Sequence, residues 1–228
     1  MQTVSIQSGK EKTVVNEFIY SVYNWMAVGL ALTGFVAYFV ANSPSLQGLI
    51  FGNKLVFYGL IIGELGLVFT LAARIEKLQR STAISLYILY AVLNGATLST
   101  IFMIYARSTI TSTFFICSAT FIVSSGYGML TKRDLTSMGS FLFMGLIGIV
   151  IASVVNMFVQ SSQMSMIISY IGVLVFVGLT VYDTQRLKQM ALSQGANSKG
   201  AILGALTLYL DFINLFLMML RIIGGGRD

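Results

Sequence analysis

The stretch Ala201-Ile-Leu-Gly-Ala-Leu-Thr-Leu-Tyr-Leu-Asp211-Phe-Ile-Asn214-Leu-Phe-Leu-Met-Met-Leu-Arg221-Ile-Ile223 decides the fold. An apolar run of roughly 20 residues crosses a hydrocarbon core about 30 Å thick when it is helical. Six runs of the same kind precede this one, at about 20–41, 55–73, 83–105, 111–130, 137–159 and 164–182. Polar or turn-forming residues punctuate them. Asn42-Ser-Pro44 holds the only proline and closes the first run, and Arg74-Ile-Glu-Lys77-Leu-Gln-Arg80 closes the second. Arg107, Lys132-Arg133-Asp134 and a polar stretch at 185–199 mark later boundaries. The expectation is an all-α polytopic membrane protein of seven transmembrane helices. On this reading 1–19 is a cytoplasmic N-terminal segment, 20–223 the membrane domain and 224–228 a short tail.

Composition agrees. Hydrophobic residues make up 56% of the 228 and charged residues only 10%, against about 25% charged in a typical soluble domain. The net charge of +6 does not point to nucleic acid, because the basic residues sit in short groups between apolar runs and form no aromatic-interleaved patch. Cys117 is the single cysteine, so no intrachain disulfide forms, and histidine is absent. Any response to pH therefore falls mainly to carboxylates. The first 18 residues are polar, and the first long run lacks a small-residue cleavage site, which makes it a retained span.

The Lys and Arg positions predict orientation, since loops rich in them stay cytoplasmic. With seven crossings, Lys10, Lys12, Arg74, Lys77, Arg80, Lys132, Arg133, Arg186, Lys188 and Lys199 share one side, whereas Lys54 and Arg107 fall on the other. This places the N-terminus inside and the C-terminus outside. Arg221 and Arg227 run against that bias, and a re-entrant last segment would return them inside. The length of the last run favours a full crossing. Glycines inside the runs (Gly29, Gly34, Gly59, Gly63, Gly66, Gly145, Gly148, Gly172, Gly178 and Gly204) read as helix-packing positions. The pairs Gly59/Gly63 and Gly200/Gly204 have small-xxx-small spacing. No phosphate loop or dinucleotide fingerprint occurs.

Ionisable groups within a span cost several kcal/mol and are functional candidates by default. Three qualify: Glu64 in the second run, Asp211 in the last, and Asp183 at the inner end of the sixth. Asp183 has an ordinary explanation in a helical ion pair with Arg186, three residues on. Asp211 has no basic neighbour in sequence before Arg221. Glu64 either hydrogen-bonds to a neighbouring helix or faces a polar pathway. Arg74 and Asp183 arrive at similar inner depth and would suit a latch. Asp211 lies about 15 Å past Ala201 along a helix, so the two aspartates meet only if the sixth helix carries Asp183 deeper or the seventh enters lower. Asn94, Asn156 and Asn214 are further polar residues within spans, and Asn214 shares a helix face with Asp211. A last helix presenting Asp211 and Asn214 inward, ringed by six apolar helices, would give a narrow polar core.

Gly178-Leu-Thr-Val-Tyr-Asp183-Thr-Gln-Arg-Leu-Lys188, followed by Gly204-Ala-Leu-Thr-Leu-Tyr-Leu-Asp211-Phe-Ile-Asn-Leu-Phe-Leu, resembles the transmembrane Bax inhibitor motif family. Tyr127-Gly-Met-Leu-Thr-Lys132-Arg-Asp-Leu is similar to its bacterial inner-membrane members. The resemblance runs from Tyr20 onward. It implies seven helices with the last central, in a bacterial inner membrane, and a pH-sensitive calcium leak whose sensor is an aspartate pair matching Asp183 and Asp211. It further implies a latching arginine at Arg74 and a pathway acid at Glu64, both matched by position. No cofactor is implied beyond a transient Ca²⁺ at Asp183 and Asp211. The expected partners are the lipid bilayer, calcium or another cation, and a membrane protease in the adaptor reading, with no nucleic acid.

Two carboxylates a few ångströms apart in a poor dielectric cannot both ionise cheaply, so a shared proton holds their helices together. Its loss leaves charges that repel or that take a cation. Two carboxylates fall short of the six to eight oxygens usual for Ca²⁺, which favours passage over tight binding. An intramembrane aspartyl protease is the rival enzyme: Tyr182-Asp183 fits its first motif, but Leu208-Tyr-Leu-Asp211 fails the Gly-x-Gly-Asp of the second. No enzymatic activity is expected. Two non-enzymatic roles compete with the leak: a non-transporting adaptor that modulates a membrane protease or stress pathway, and a proton-coupled cation exchanger.

Overall fold

The computed structural model describes residues 2–195 and 197–225. Arg227, with the rest of 226–228, lies outside the described residues, as do Met1 and Ala196, and the side chains of 2–11 and 194 are likewise not described. Nine α-helices follow one another among the described residues: α1 (Gln2–Ala41), α2 (Pro44–Phe51), α3 (Lys54–Arg74), α4 (Arg80–Leu98), α5 (Ile101–Ile104), α6 (Arg107–Leu130), α7 (Thr136–Val159), α8 (Ser162–Gln194) and α9 (Ser198–Gly224). A 3₁₀ turn, Ile75–Lys77, follows α3. Seven helical segments are long and apolar enough to span a membrane, with α4 and α5 together making one of them. The expected all-α, seven-span polytopic architecture is therefore present.

The boundaries follow local chemistry. Asn42 closes α1 by donating its amide to the Tyr38 carbonyl at 2.7 Å, and Gln47 donates to the Ala41 carbonyl at 2.6 Å. Pro44 opens α2 at a position where its missing N–H costs nothing. Asn53 caps α3 by accepting the Leu55 N–H at 2.9 Å. The third span breaks after Leu98, where the Ser99 hydroxyl donates to the Ala96 carbonyl at 2.7 Å and competes with the helical ladder.

Two boundaries differ from the sequence reading. Residues 12–19 continue α1 because Val15, Phe18 and Ile19 are buried along one face. The polar stretch after Gln185 is not a loop: α8 runs on to Gln194, with Leu187 and Ala191 buried. Asp183 is consequently an interior residue of a long helix, not its inner end. The α7 to α8 turn is held by Asn156, which accepts the Ser161 N–H at 3.0 Å and donates to the Ser165 hydroxyl at 2.7 Å. Gln160 in this turn has φ 55°, the left-handed conformation that ends a helix.

The chain divides into two compact units. The first comprises residues 1–104 and 189–209, and in it α4 packs against both α1 and α3. A Cβ on Gly95 would stand 2.7 Å from the Thr33 carbonyl oxygen, so α1 and α4 approach backbone to backbone. The second unit comprises residues 105–188 and 210–228. There Gly128 brings α6 onto the Val181 carbonyl of α8, and Gly139 of α7 faces the Tyr182 ring. The expectation for Gly34, Gly59, Gly66 and Gly148 is corrected, since a Cβ at these positions meets nothing within 4 Å. Burial separates the helices by role. In α9, 67% of the apolar stretch is buried, against 6% in α3 and 11% in α7, so α3 and α7 present their Leu, Ile, Phe and Val side chains to lipid.

Candidate functional site

The second unit holds the aspartates. Asp183 of α8 is 8% exposed and Asp211 of α9 is 5% exposed, and their side chains are hydrogen-bonded to each other. They meet within the second unit, with Asp183 in the interior of α8. A carboxylate can only accept, so a hydrogen bond between two carboxyl groups requires a proton on one of them. Asp211 Oδ2 is buried and has no hydrogen-bond partner. An unpaired polar atom in such a place is costly.

The surroundings are built by the neighbouring helices. The Thr184 hydroxyl, beside Asp183 in sequence, lies 2.9 Å from that of Ser125 on α6. Phe212, beside Asp211, meets Phe114 and Phe121 of α6 edge-on with centroids 5.7 and 5.5 Å apart. Cys117 donates weakly to the Phe212 carbonyl at 3.8 Å. Below the pair, Gln185 accepts the Leu135 N–H at 3.1 Å and donates to the Arg133 carbonyl at 2.8 Å, while Lys188 donates to the Met129 carbonyl at 2.8 Å. These bonds anchor α8 to the end of α6 and the loop that follows it. Arg186 acts on Asp183 through space, but its own side chain is exposed. A simple Asp183–Arg186 helical pair is therefore not the whole account, because Asp183 is hydrogen-bonded to Asp211.

The remaining expected residues lie elsewhere. Asn214 is half-buried and donates to the Leu210 carbonyl of its own helix at 2.8 Å. Arg74 is exposed at the end of α3, in the first unit. Glu64, half-buried in the same unit, accepts from Asn94 at 3.2 Å and from Thr97 at 3.0 Å. Its hydrogen bonds to α4 realise the first of the two readings open for it. Tyr209 and Thr33, which sequence reasoning did not single out, continue from Asn94: Tyr209 donates to Asn94 Oδ1 at 2.9 Å and lies 2.7 Å from the Thr33 hydroxyl. Among the described residues no three of His, Cys, Asp and Glu gather as a metal site.

Seven spans that carry buried carboxyl groups define the class: a polytopic α-helical membrane protein. The chain belongs to the family described as inhibitor of apoptosis-promoting Bax1, whose model matches residues 15–228. It is similar to inner membrane protein YbhL of Escherichia coli (strain K12), 50% identical over 215 residues that cover 92% of each chain. A protein of Borreliella burgdorferi is 42% identical over 226 residues, 97% of each chain. A membrane protein of Streptococcus pyogenes serotype M3 is 37% identical over 214 residues, covering 92% of this chain and 93% of its own.

Proposed function

We propose that this protein is a pH-sensitive cation leak, with calcium as the cation, gated by Asp183 and Asp211. The observation that carries this reading is the buried, hydrogen-bonded carboxyl pair linking α8 and α9 within the second unit. With the proton in place the pair carries a single negative charge and forms a clasp. Once it leaves, two charges share a confined apolar setting, and they separate or recruit a cation. Calcium suits carboxylate oxygens, and the small ligand number favours transit over retention. The leak sits in the bacterial inner membrane with its N-terminus cytoplasmic, a placement supported by the E. coli relative and by the Lys and Arg pattern. No catalytic step is assigned.

The test is calcium flux into proteoliposomes containing only this protein, at several pH values, for wild type, Asp183→Asn and Asp211→Asn. Flux that rises with pH in wild type and loses that dependence in both variants supports the reading. Absence of flux in wild type would leave the adaptor role in its place.

A further inference from the structure

A second buried polar system lies in the first unit and has no part in the aspartate clasp. It runs Glu64 (α3), Asn94 (α4), Tyr209 (α9), Thr33 (α1) and the Ala91 carbonyl (α4), with successive separations of 3.2, 2.9, 2.7 and 2.9 Å. Thr33 is 3% exposed, Asn94 9% and Tyr209 0%, so bulk solvent does not reach them. Each contact needs its own proton from within the chain.

Counting those protons gives an uneven result. With the Asn94 amide nitrogen turned to an ionised Glu64, Asn94 Oδ1 faces Tyr209. The three contacts Asn94–Tyr209, Tyr209–Thr33 and Thr33–Ala91 then have only two hydroxyl protons between them. One contact is left unfilled. Rotating the amide by half a turn supplies the missing N–H to Tyr209, so Tyr209 donates to Thr33 and Thr33 to Ala91. The same rotation sets Asn94 Oδ1 against Glu64 Oε2, two acceptors that need a proton between them. One proton added at Glu64 therefore completes every bond of the chain and reverses its direction.

We propose that Glu64 is a second proton-binding site of this protein, and that its occupancy sets the direction of the hydrogen-bond chain through Asn94 to Tyr209 and Thr33. The ligand is the proton itself, and the chain delivers its presence from α3 to α1 and α9. The titratable groups facing Glu64 within this unit are Tyr90 of α4 and Tyr209 of α9, both phenols that ordinarily ionise only near pH 10. On α3 itself the charged residues Lys54 and Arg74 stand at the two ends of the helix. Among the described residues of these elements no charged group therefore competes with Asn94 and Thr97 for the Glu64 carboxyl. The proposal is independent of the leak.

The experiment uses the full chain in liposomes with ¹³Cζ-labelled tyrosine, the Tyr209 signal being assigned by its loss in Tyr209→Phe. As pH is stepped between about 4 and 9, the Tyr209 signal moves between two positions in wild type and in the Asp183→Asn/Asp211→Asn protein. It stays fixed in Glu64→Gln, which carries no titrating proton. In Asn94→Ala it also stays fixed, while the Glu64 carboxyl stretch in the infrared still titrates. A stationary Tyr209 signal in wild type, a signal that still moves in Glu64→Gln, or one stopped by the aspartate substitutions would overturn the proposal.

Discussion

Replacing Asp211 by Asn keeps the size and shape of the side chain and removes one charge. Hydrogen-bonded carboxyl groups place their carbons about 4 Å apart, and two unit charges at that distance repel by about 4 kcal/mol at an effective dielectric constant of about 20. That is a factor of about a thousand available to move an equilibrium between a clasped and a separated arrangement of α8 and α9. In Asp211→Asn the amide donates permanently to Asp183, so deprotonation never brings a second charge. Calcium entry, read with an internal dye in proteoliposomes at equal internal and external pH, should rise steeply with pH in wild type. In Asp211→Asn it should vary by less than about twofold, since no coupled pair remains. The double variant with Asp183→Asn should match either single variant, because the two groups act as one unit. An Asp211→Asn protein that kept a tenfold or larger rise would refute the clasp.

Other consequences are local. Gly128→Ala sets a Cβ against the Val181 carbonyl and 3.0 Å from Thr184 Cβ, and should cost about 1–3 kcal/mol. Gly126→Ala meets nothing within 4 Å and serves as the control, both read as melting temperature in detergent. Asn156→Leu removes two hydrogen bonds of the α7 to α8 turn and should lose about 1–3 kcal/mol with the pH profile of flux unaltered. A changed profile would show that this turn is coupled to the aspartate pair. Asp134, in the loop before α7, is held below its usual carboxylate range by hydrogen bonds from the Thr136 hydroxyl and N–H. A carboxyl whose folded pKa is lowered contributes stability above its unfolded pKa and loses it as pH falls through the folded value. Asp134→Ala should therefore melt earlier than wild type at neutral pH, and the two should converge in acid below about pH 4.

Much of the architecture is legible in the sequence because lipid imposes its demand locally. Each apolar run announces itself within its own residues, and Asn42-Ser-Pro44 and Asn53 mark their boundaries through short-range bonds. The exceptions have a common cause. The polar stretch at 185–199 reads as a boundary between spans, yet within it Gln185 and Lys188 find carbonyl partners at the end of α6 and in the following loop. The helix continues because those side chains are satisfied by a distant segment. The glycine pattern misleads in the same way. Gly59 and Gly66 lie on a helix with little packed against it, whereas Gly95 and Gly128, which have no distinguishing signal in the sequence, carry the tight backbone approaches.

Asp183, Asp211 and Glu64 stand out as candidates in the sequence alone, since an ionisable group in an apolar run is marked by its cost. What each does is not legible there. Asp211 pairs with Asp183 and not with its helical neighbour Asn214, which bonds to its own backbone. Tyr209 and Thr33 look like ordinary residues of apolar helices, and their link spans 176 positions. The last run, from Ala201 to Ile223, by itself determined that this chain belongs in a membrane, because transfer of an apolar helix into lipid depends only on the residues within it. Only the tertiary structure decided which polar groups on that helix find partners, because a hydrogen bond depends on a few ångströms between atoms that the sequence places a hundred or more residues apart.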